Sequence, residues 1–365
     1  MSDALAEALS ELRAIGPIDC DLHPAPRMAE LLPYLDAHWR EQITTRGIDG
    51  LDLVSYPPRA PLSCRPDWRN EAGIGAPDAA TLARQALDPY GSRFGILNCL
   101  HGSIAMYSED MGAAVTCAVN DWLVEHWLDR DPRLRASVTV CMRDPALAAA
   151  EIDRRAADRR FVQVLLLVSG DMPLGRRLMW PIYEAAQRHD MPVGIHAGSL
   201  GHNPLTPMGW PSYVVEDYVS QAAAMQSQVQ SLVSEGVFSR FPRLRVVLLE
   251  GGVTWLPPFL WRFDKEWRSL RSEVPWVDRP PSAIIREHVR MTTTPTDVPP
   301  HSGQMRRIVE QIGADHMLLF STDYPHWQFD DADGPLPAGL PPALLPRIAL
   351  NNARATYPGL QETPP

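Results

Sequence analysis

The chain has 365 residues, 45% of them apolar and 21% charged, a balance ordinary for a globular protein that buries a sizeable core. Its 34 basic and 44 acidic residues leave a net charge of −10, which argues against nucleic acid as the main partner, because phosphate binding needs a concentrated basic surface. The five cysteines (Cys20, Cys64, Cys99, Cys117 and Cys141) form no C-x-x-C pair, which excludes a cysteine-rich zinc site and suits reduced thiols in a cytoplasmic protein.

Residues Met1 to Leu12 carry Asp3, Glu7 and Glu11 and predict a short amphipathic helix rather than a basic-then-apolar secretion signal. No apolar run approaches the ~20 residues of a membrane span. Eight short runs then predict buried strands, at about Pro17–Leu22, Arg93–Cys99, Leu134–Cys141, Phe161–Val168, Pro192–His196, Leu244–Leu249, His288–Thr293 and Met317–Thr322. Several are almost continuously apolar, as strands covered on both faces are. Between them, Asp110–Asp129, Pro145–Arg159 and Val214–Phe238 carry apolar residues at helical spacing, and Asp144-Pro145 supplies a cap followed by proline. Alternating strand and helix implies parallel strands joined by crossovers, and eight such units predict a (β/α)8 TIM-type barrel. Residues 24–91, rich in proline and arginine, interrupt the alternation after strand one and are expected to cover the barrel mouth. A second proline- and glycine-rich stretch, residues 330–342, predicts a surface loop.

In a parallel barrel the C-terminal strand ends converge on the functional face. Asp21 and His23, two apart on strand one, point to the same side. His196 ends strand five and Asp323 follows strand eight. Two imidazoles and two carboxylates meeting there predict a site for one divalent metal ion, Zn²⁺ or Mn²⁺, the donor set alone not choosing between them. Glu250, after strand six, could be an acid–base group, a further ligand or the partner of a buried arginine. His326 lies three residues beyond Asp323 and could reach the pocket or brace a ligand. His202, Trp210 and Tyr213 after strand five, and His101 after strand two, could contact substrate. Arg59, Arg65 and Arg69, interleaved with Tyr56 and Trp68, could hold a substrate carboxylate. No serine-nucleophile elbow, phosphate-binding loop or dinucleotide fingerprint is present.

The segments Ile18-Asp19-Cys20-Asp21-Leu22-His23-Pro24, Gly194-Ile195-His196-Ala197-Gly198, Glu250-Gly251-Gly252-Val253-Thr254-Trp255-Leu256-Pro257, Trp261-Arg262-Phe263-Asp264 and Phe320-Ser321-Thr322-Asp323-Tyr324-Pro325-His326 carry a resemblance. The chain resembles the amidohydrolase superfamily, in the branch of 2-amino-3-carboxymuconate-6-semialdehyde decarboxylase and γ-resorcylate decarboxylase. The resemblance implies a single divalent metal in a distorted barrel, often in a homodimer. Two positions depart from the family pattern. Asp21 stands where many relatives have the first histidine of H-x-H, and Glu250 stands where family decarboxylases commonly place a catalytic histidine.

These readings predict one domain over residues 1–365. The expected activity is that of a metal-dependent hydrolase, with metal-activated water attacking a small organic acid, amide, lactone or ring-cleavage product, and with Glu250 or Asp323 managing protons. The alternative is a metal-dependent, non-oxidative decarboxylase of an aromatic or unsaturated carboxylate. A non-catalytic binding barrel is a third reading, against which the intact ligand set argues.

Overall fold

The computed structural model describes residues 3–50, 63–199, 203–295, 297–299, 301–326, 336–337 and 339–360. Its eight strands lie where the apolar runs place them: β1 Ile18–Leu22, β2 Phe94–Leu97, β3 Leu134–Thr139, β4 Phe161–Leu167, β5 Val193–His196, β6 Val246–Leu249, β7 Val289–Thr292 and β8 Leu318–Leu319. All pair in parallel and in sequence order, β1 through β8. Every residue of β4 is buried, including the lone polar Gln163 within its apolar run. Such a strand is covered by barrel interior on one side and helices on the other.

The barrel closes between β8 and β1 by a different means. Strand β8 is only two residues long, so few ladder bonds are available. Cys20 N–H donates to Phe320 O at 3.0 Å and His23 N–H donates to Tyr324 O at 2.8 Å. Between them, the buried Asp19 carboxylate accepts from Thr322 N–H (3.1 Å), Thr322 Oγ1–H (2.6 Å) and Asp21 N–H (3.2 Å). A side chain thus supplies hydrogen bonds at a seam with few backbone pairs.

Helices follow the predicted periodicity with local breaks. Pro145–Arg155 opens on Asp144, whose carboxylate accepts from Ala146 and Leu147 N–H, both at 2.9 Å. The pattern read as one helix over residues 214–238 is two, Val214–Ser234 and Val237–Arg240. They are parted by Gly236, whose φ of +78° puts it in the left-handed region. A Cβ there would stand 2.5 Å from the Trp276 ring, so both backbone and packing require glycine.

Of the long connection after β1, the described parts hold helices Met28–Leu31 and Ala37–Arg46. Its later part packs on the turn after β8. Arg65 N–H donates to Pro325 O at 2.9 Å, the Trp68 and Tyr324 rings lie 4.8 Å apart, and Tyr324 Oη–H donates to Gln85. That part of the connection therefore abuts the loop that carries Asp323. The 330–342 stretch lies mostly outside the described residues. No helix among the described residues is long and apolar enough to cross a membrane.

Candidate metal centre

The parallel barrel brings the strand ends together, and strand alternation turns Asp21 and His23 inward on one face. His196 ends β5, Glu250 follows β6, and Asp323 and His326 lie beyond β8. All six are buried, none more than 5% exposed. Glu250 and Asp323 have φ of +56° and +58°. An L-residue in this left-handed region costs on the order of 1–2 kcal/mol, and such strain persists where the surroundings enforce it. Here Glu250 N–H donates to Thr292 Oγ1 (3.1 Å) and His326 N–H donates back to Asp323 O (2.8 Å), which hold the two turns.

The side chains converge tightly. One potential ligand atom from each of Asp21, His23, His196 and Glu250 lies within 4.8 Å of the others, and the same holds for His23, Glu250, Asp323 and His326. His23 Nε2 stands 3.1 Å from Asp21 Oδ1 and 3.1 Å from Asp323 Oδ1. His196 Nε2 stands 3.5 Å from Asp21 Oδ1, and Glu250 Oε1 is 3.7 Å from both Nε2 atoms. His326 Nδ1 lies 2.8 Å from Glu250 Oε1 and 2.6 Å from Asp323 Oδ1, with its ring stacked on His23.

Outer hydrogen bonds fix which ring nitrogens face the centre. His23 Nδ1–H donates to Asn98 O (2.9 Å) and His196 Nδ1–H donates to Ala197 O (2.5 Å). Each Nε2 is thereby turned towards the centre, the nitrogen a metal-binding imidazole presents. His23 Nε2, His196 Nε2, Asp21 Oδ2 and Asp323 Oδ2 are all buried without a hydrogen-bond partner. Orphaned polar atoms inside a protein are costly, and these four point to one place. Among the described residues, neither Asp21 nor Asp323 has a lysine or arginine within ion-pair distance. A divalent cation would supply the missing charge and the missing partner together, so these residues fit the metal expected of them.

The electrostatics agree. Burial, and then the charge of Glu250, hold the Asp323 carboxyl well above its ordinary range. Burial also works to raise Glu250, but His196, the contact with Asp323 and His326 outweigh it and hold Glu250 well below the usual value. Two carboxylates in one dry site cannot both ionise freely without a cation. Burial likewise pushes His101 down to about 4, so it is a neutral group at pH 7.

The structure brings Asp21, His23, His196, Glu250, Asp323 and His326 together. Of the other residues singled out from the sequence, those described make their contacts elsewhere. Trp210 and Tyr213 are 52% and 72% exposed and stand outside the buried group. The Arg65 guanidinium pairs with Asp67 and stacks on Trp68, 3.7 Å from its ring centre. Arg69 donates to Cys64 O. Arg59, Tyr56 and His202 lie outside the described residues. Sequence reasoning overlooked Asn98, whose amide donates to Asp21 Oδ1 and whose carbonyl accepts from His23 Nδ1–H. The signal was a lone amide ending the apolar run of β2.

The model of the Amidohydrolase family matches residues 18–359. A curated γ-resorcylate decarboxylase of Polaromonas sp. is 26% identical over 270 residues, 67% of this chain and 77% of its own length. Two solved structures share the fold. A 5-carboxyvanillate decarboxylase of Novosphingobium aromaticivorans, complexed with manganese and 4-hydroxy-3-methoxy-5-nitrobenzoic acid, superposes with a TM-score of 0.68 at 17% identity, over 95% of this chain and 97% of its own. A dihydroxybenzoic acid decarboxylase of Polaromonas sp., with bound manganese and 2-nitroresorcinol, gives 0.63 at 19% identity, over 95% and 99%.

The hydrolase expectation is overturned: the curated relative is named for the loss of a carboxyl group, not for hydrolysis. The physical reason lies at Glu250. Where family decarboxylases commonly place a histidine, the site still has a titratable group at that strand end, 2.8 Å from His326 Nδ1.

Proposed function

The chain belongs to the amidohydrolase family, and from that premise we propose that it is a metal-dependent, non-oxidative decarboxylase of a hydroxylated aromatic carboxylate. The observation that carries the reading is the buried convergence of Asp21, His23, His196 and Asp323, with four orphaned donor atoms, beside the Glu250–His326–Asp323 cluster. In this reading the first four hold one divalent ion. Manganese is preferred to zinc, because the carboxylates at the centre are hard oxygen donors and Glu250 adds another beside them. When bound, the ion supplies a Lewis acid for a substrate carboxylate and a neighbouring phenolic oxygen.

The chain's own residues handle the proton. Asp323 presents a proton, received through His326, to the ring carbon that bears the carboxylate. The bond from that carbon to the carboxyl group then breaks, its electron pair restores the aromatic ring, and CO2 leaves. His326, within hydrogen-bond distance of both carboxylates, links Asp323 to Glu250 so that the lost proton can be replaced. No redox partner is needed, since proton gained and CO2 lost balance.

The test is incubation of the Mn²⁺-loaded protein with 2,6-dihydroxybenzoate and 5-carboxyvanillate in D2O. The expected result is CO2 equimolar with the decarboxylated arene, with one deuterium at the vacated carbon. Release of CO2 without ring deuteration would refute Asp323 delivery. No turnover of a broad set of hydroxybenzoates, alongside hydrolysis of amides or lactones, would overturn the decarboxylase reading.

A further inference from the structure

TIM-type barrel interiors are usually filled with branched apolar side chains. This one carries a buried polar line behind the metal centre. Tyr357, in the C-terminal segment, donates its hydroxyl to Gln163 Oε1 on β4 at 2.9 Å. Gln163 Nε2 donates to Asn98 Oδ1 (3.0 Å) and to Ser137 Oγ on β3 (2.9 Å), and Ser137 Oγ–H donates to Asn98 Oδ1 at 2.6 Å. Asn98 Nδ2 then donates to Asp21 Oδ1 (2.8 Å) and Cys20 O (3.1 Å). The same residue's carbonyl takes the Nδ1–H of His23. Tyr357, Gln163, Ser137 and Asn98 are all fully buried.

The order of donors gives this line a direction. Both amide hydrogens of Asn98 and both lone pairs of its side-chain oxygen are used. Turning the amide over would set its oxygen against Cys20 O and Asp21 Oδ1, and its NH2 against the NH2 of Gln163. The acceptors Cys20 O and Asp21 Oδ1 on one side and the donors Gln163 and Ser137 on the other fix Asn98, Asn98 Oδ1 in turn fixes Gln163, and the Tyr357 hydroxyl holds the far end of Gln163 in place. Room for Gln163 is made by Gly194 on β5: a Cβ there would stand 2.6 Å from Gln163 Nε2. A glycine two residues before the ligand His196 thus serves the same line.

Resting on the reading of Asp21 and His23 as metal ligands, we propose that the buried relay Tyr357–Gln163–Asn98 is the positioning device for both β1 ligands. It makes metal affinity depend on a tyrosine of the C-terminal segment, far along the chain from Asp21 and His23. Asn98 and Tyr357 are positioning residues, acting through Asp21 and His23.

The experiment measures Mn²⁺ affinity by titration calorimetry on chelator-stripped wild type, Asn98→Leu and Tyr357→Phe, well below their unfolding temperatures, with the visible spectrum of the Co²⁺-loaded forms beside it. Loss of an outer hydrogen-bond partner typically weakens metal binding by about 10–100-fold, which is expected for Asn98→Leu. Tyr357→Phe, one hydrogen bond further back, is expected to weaken it by about 2–10-fold. Both variants should shift the Co²⁺ bands, a change of ligand geometry that lower fold stability alone does not produce. Wild-type affinity and an unshifted spectrum in Tyr357→Phe would overturn the relay, and this variant decides the matter if Asn98→Leu does not fold. Failure of the wild type to bind Mn²⁺ or Co²⁺ would overturn the ligand reading itself, and the relay with it.

Discussion

Glu250 and Asp323 each occupy a backbone conformation that L-residues avoid, and each does so at a strand end facing the same cluster. Strain of this kind is kept where geometry matters more than stability. The two residues are expected to differ in what their loss removes. Glu250→Gln keeps the shape and the oxygen acceptor but ends proton exchange with His326. General acid–base contributions run at ~10²–10⁴-fold, so kcat with an active hydroxybenzoate should fall within that range. Mn²⁺ affinity should fall much less if Glu250 serves protons rather than the metal. Equal losses in kcat and affinity, read by steady-state kinetics and calorimetry, would instead make Glu250 a ligand.

At the scale of elements, closure of the barrel decides whether Asp21 and Asp323 stand at the right distance. Strand β8 contributes two residues, and Asp19 bridges the seam through Thr322. Thr322→Val keeps the volume while removing the hydroxyl donor to a fully buried carboxyl. Leaving a buried acceptor unmet costs about 1–3 kcal/mol, which urea unfolding should register. Amide exchange at Cys20 and His23, whose N–H groups cross the seam, should accelerate with it. Unchanged exchange at both would show that the backbone closes the barrel without Asp19. The eight strands were legible in the sequence because burial on both faces writes a continuous apolar run. The seam was not, because its strength lies in Asp19 and Thr322, polar residues that a search for apolar runs passes over. Asp21, His23, His196 and Asp323 were legible as polar residues at strand ends. The way His326 folds back onto Asp323 and Glu250 depends on a left-handed turn at a non-glycine residue, which no residue pattern announces. Trp210 and Tyr213 stand exposed on the stretch after β5, where sequence does not fix which way a side chain turns.

For the whole molecule, the centre concentrates an acidic imbalance that the sequence shows only as a net charge of −10. Asp21, Glu250 and Asp323 lie together out of water, and without a metal ion the folded state must protonate a carboxyl or the neighbouring His23 and His196, whose pKa burial works to lower but these carboxylates raise, or bear the repulsion. Metal removal should therefore destabilise the protein, and metal addition should stabilise it by mass action. At a free Mn²⁺ concentration of about 100 Kd the gain is ~2.7 kcal/mol. With an unfolding entropy of about 2.1 cal/mol/K per residue, this raises Tm by roughly 3–4 °C for a chain of 365 residues. An acidic protein also gains from any divalent cation that screens its surface, so the rise alone is not diagnostic. His196→Ala keeps the surface charge and loses one donor. If its Tm rises with Mn²⁺ as much as the wild type's does, the stabilisation is screening and the buried centre is not a metal site. If the rise vanishes in His196→Ala and Mg²⁺ at the same concentration gives little in the wild type, the imidazole donors are engaged, because nitrogen ligands discriminate for Mn²⁺ over Mg²⁺ where surface screening does not.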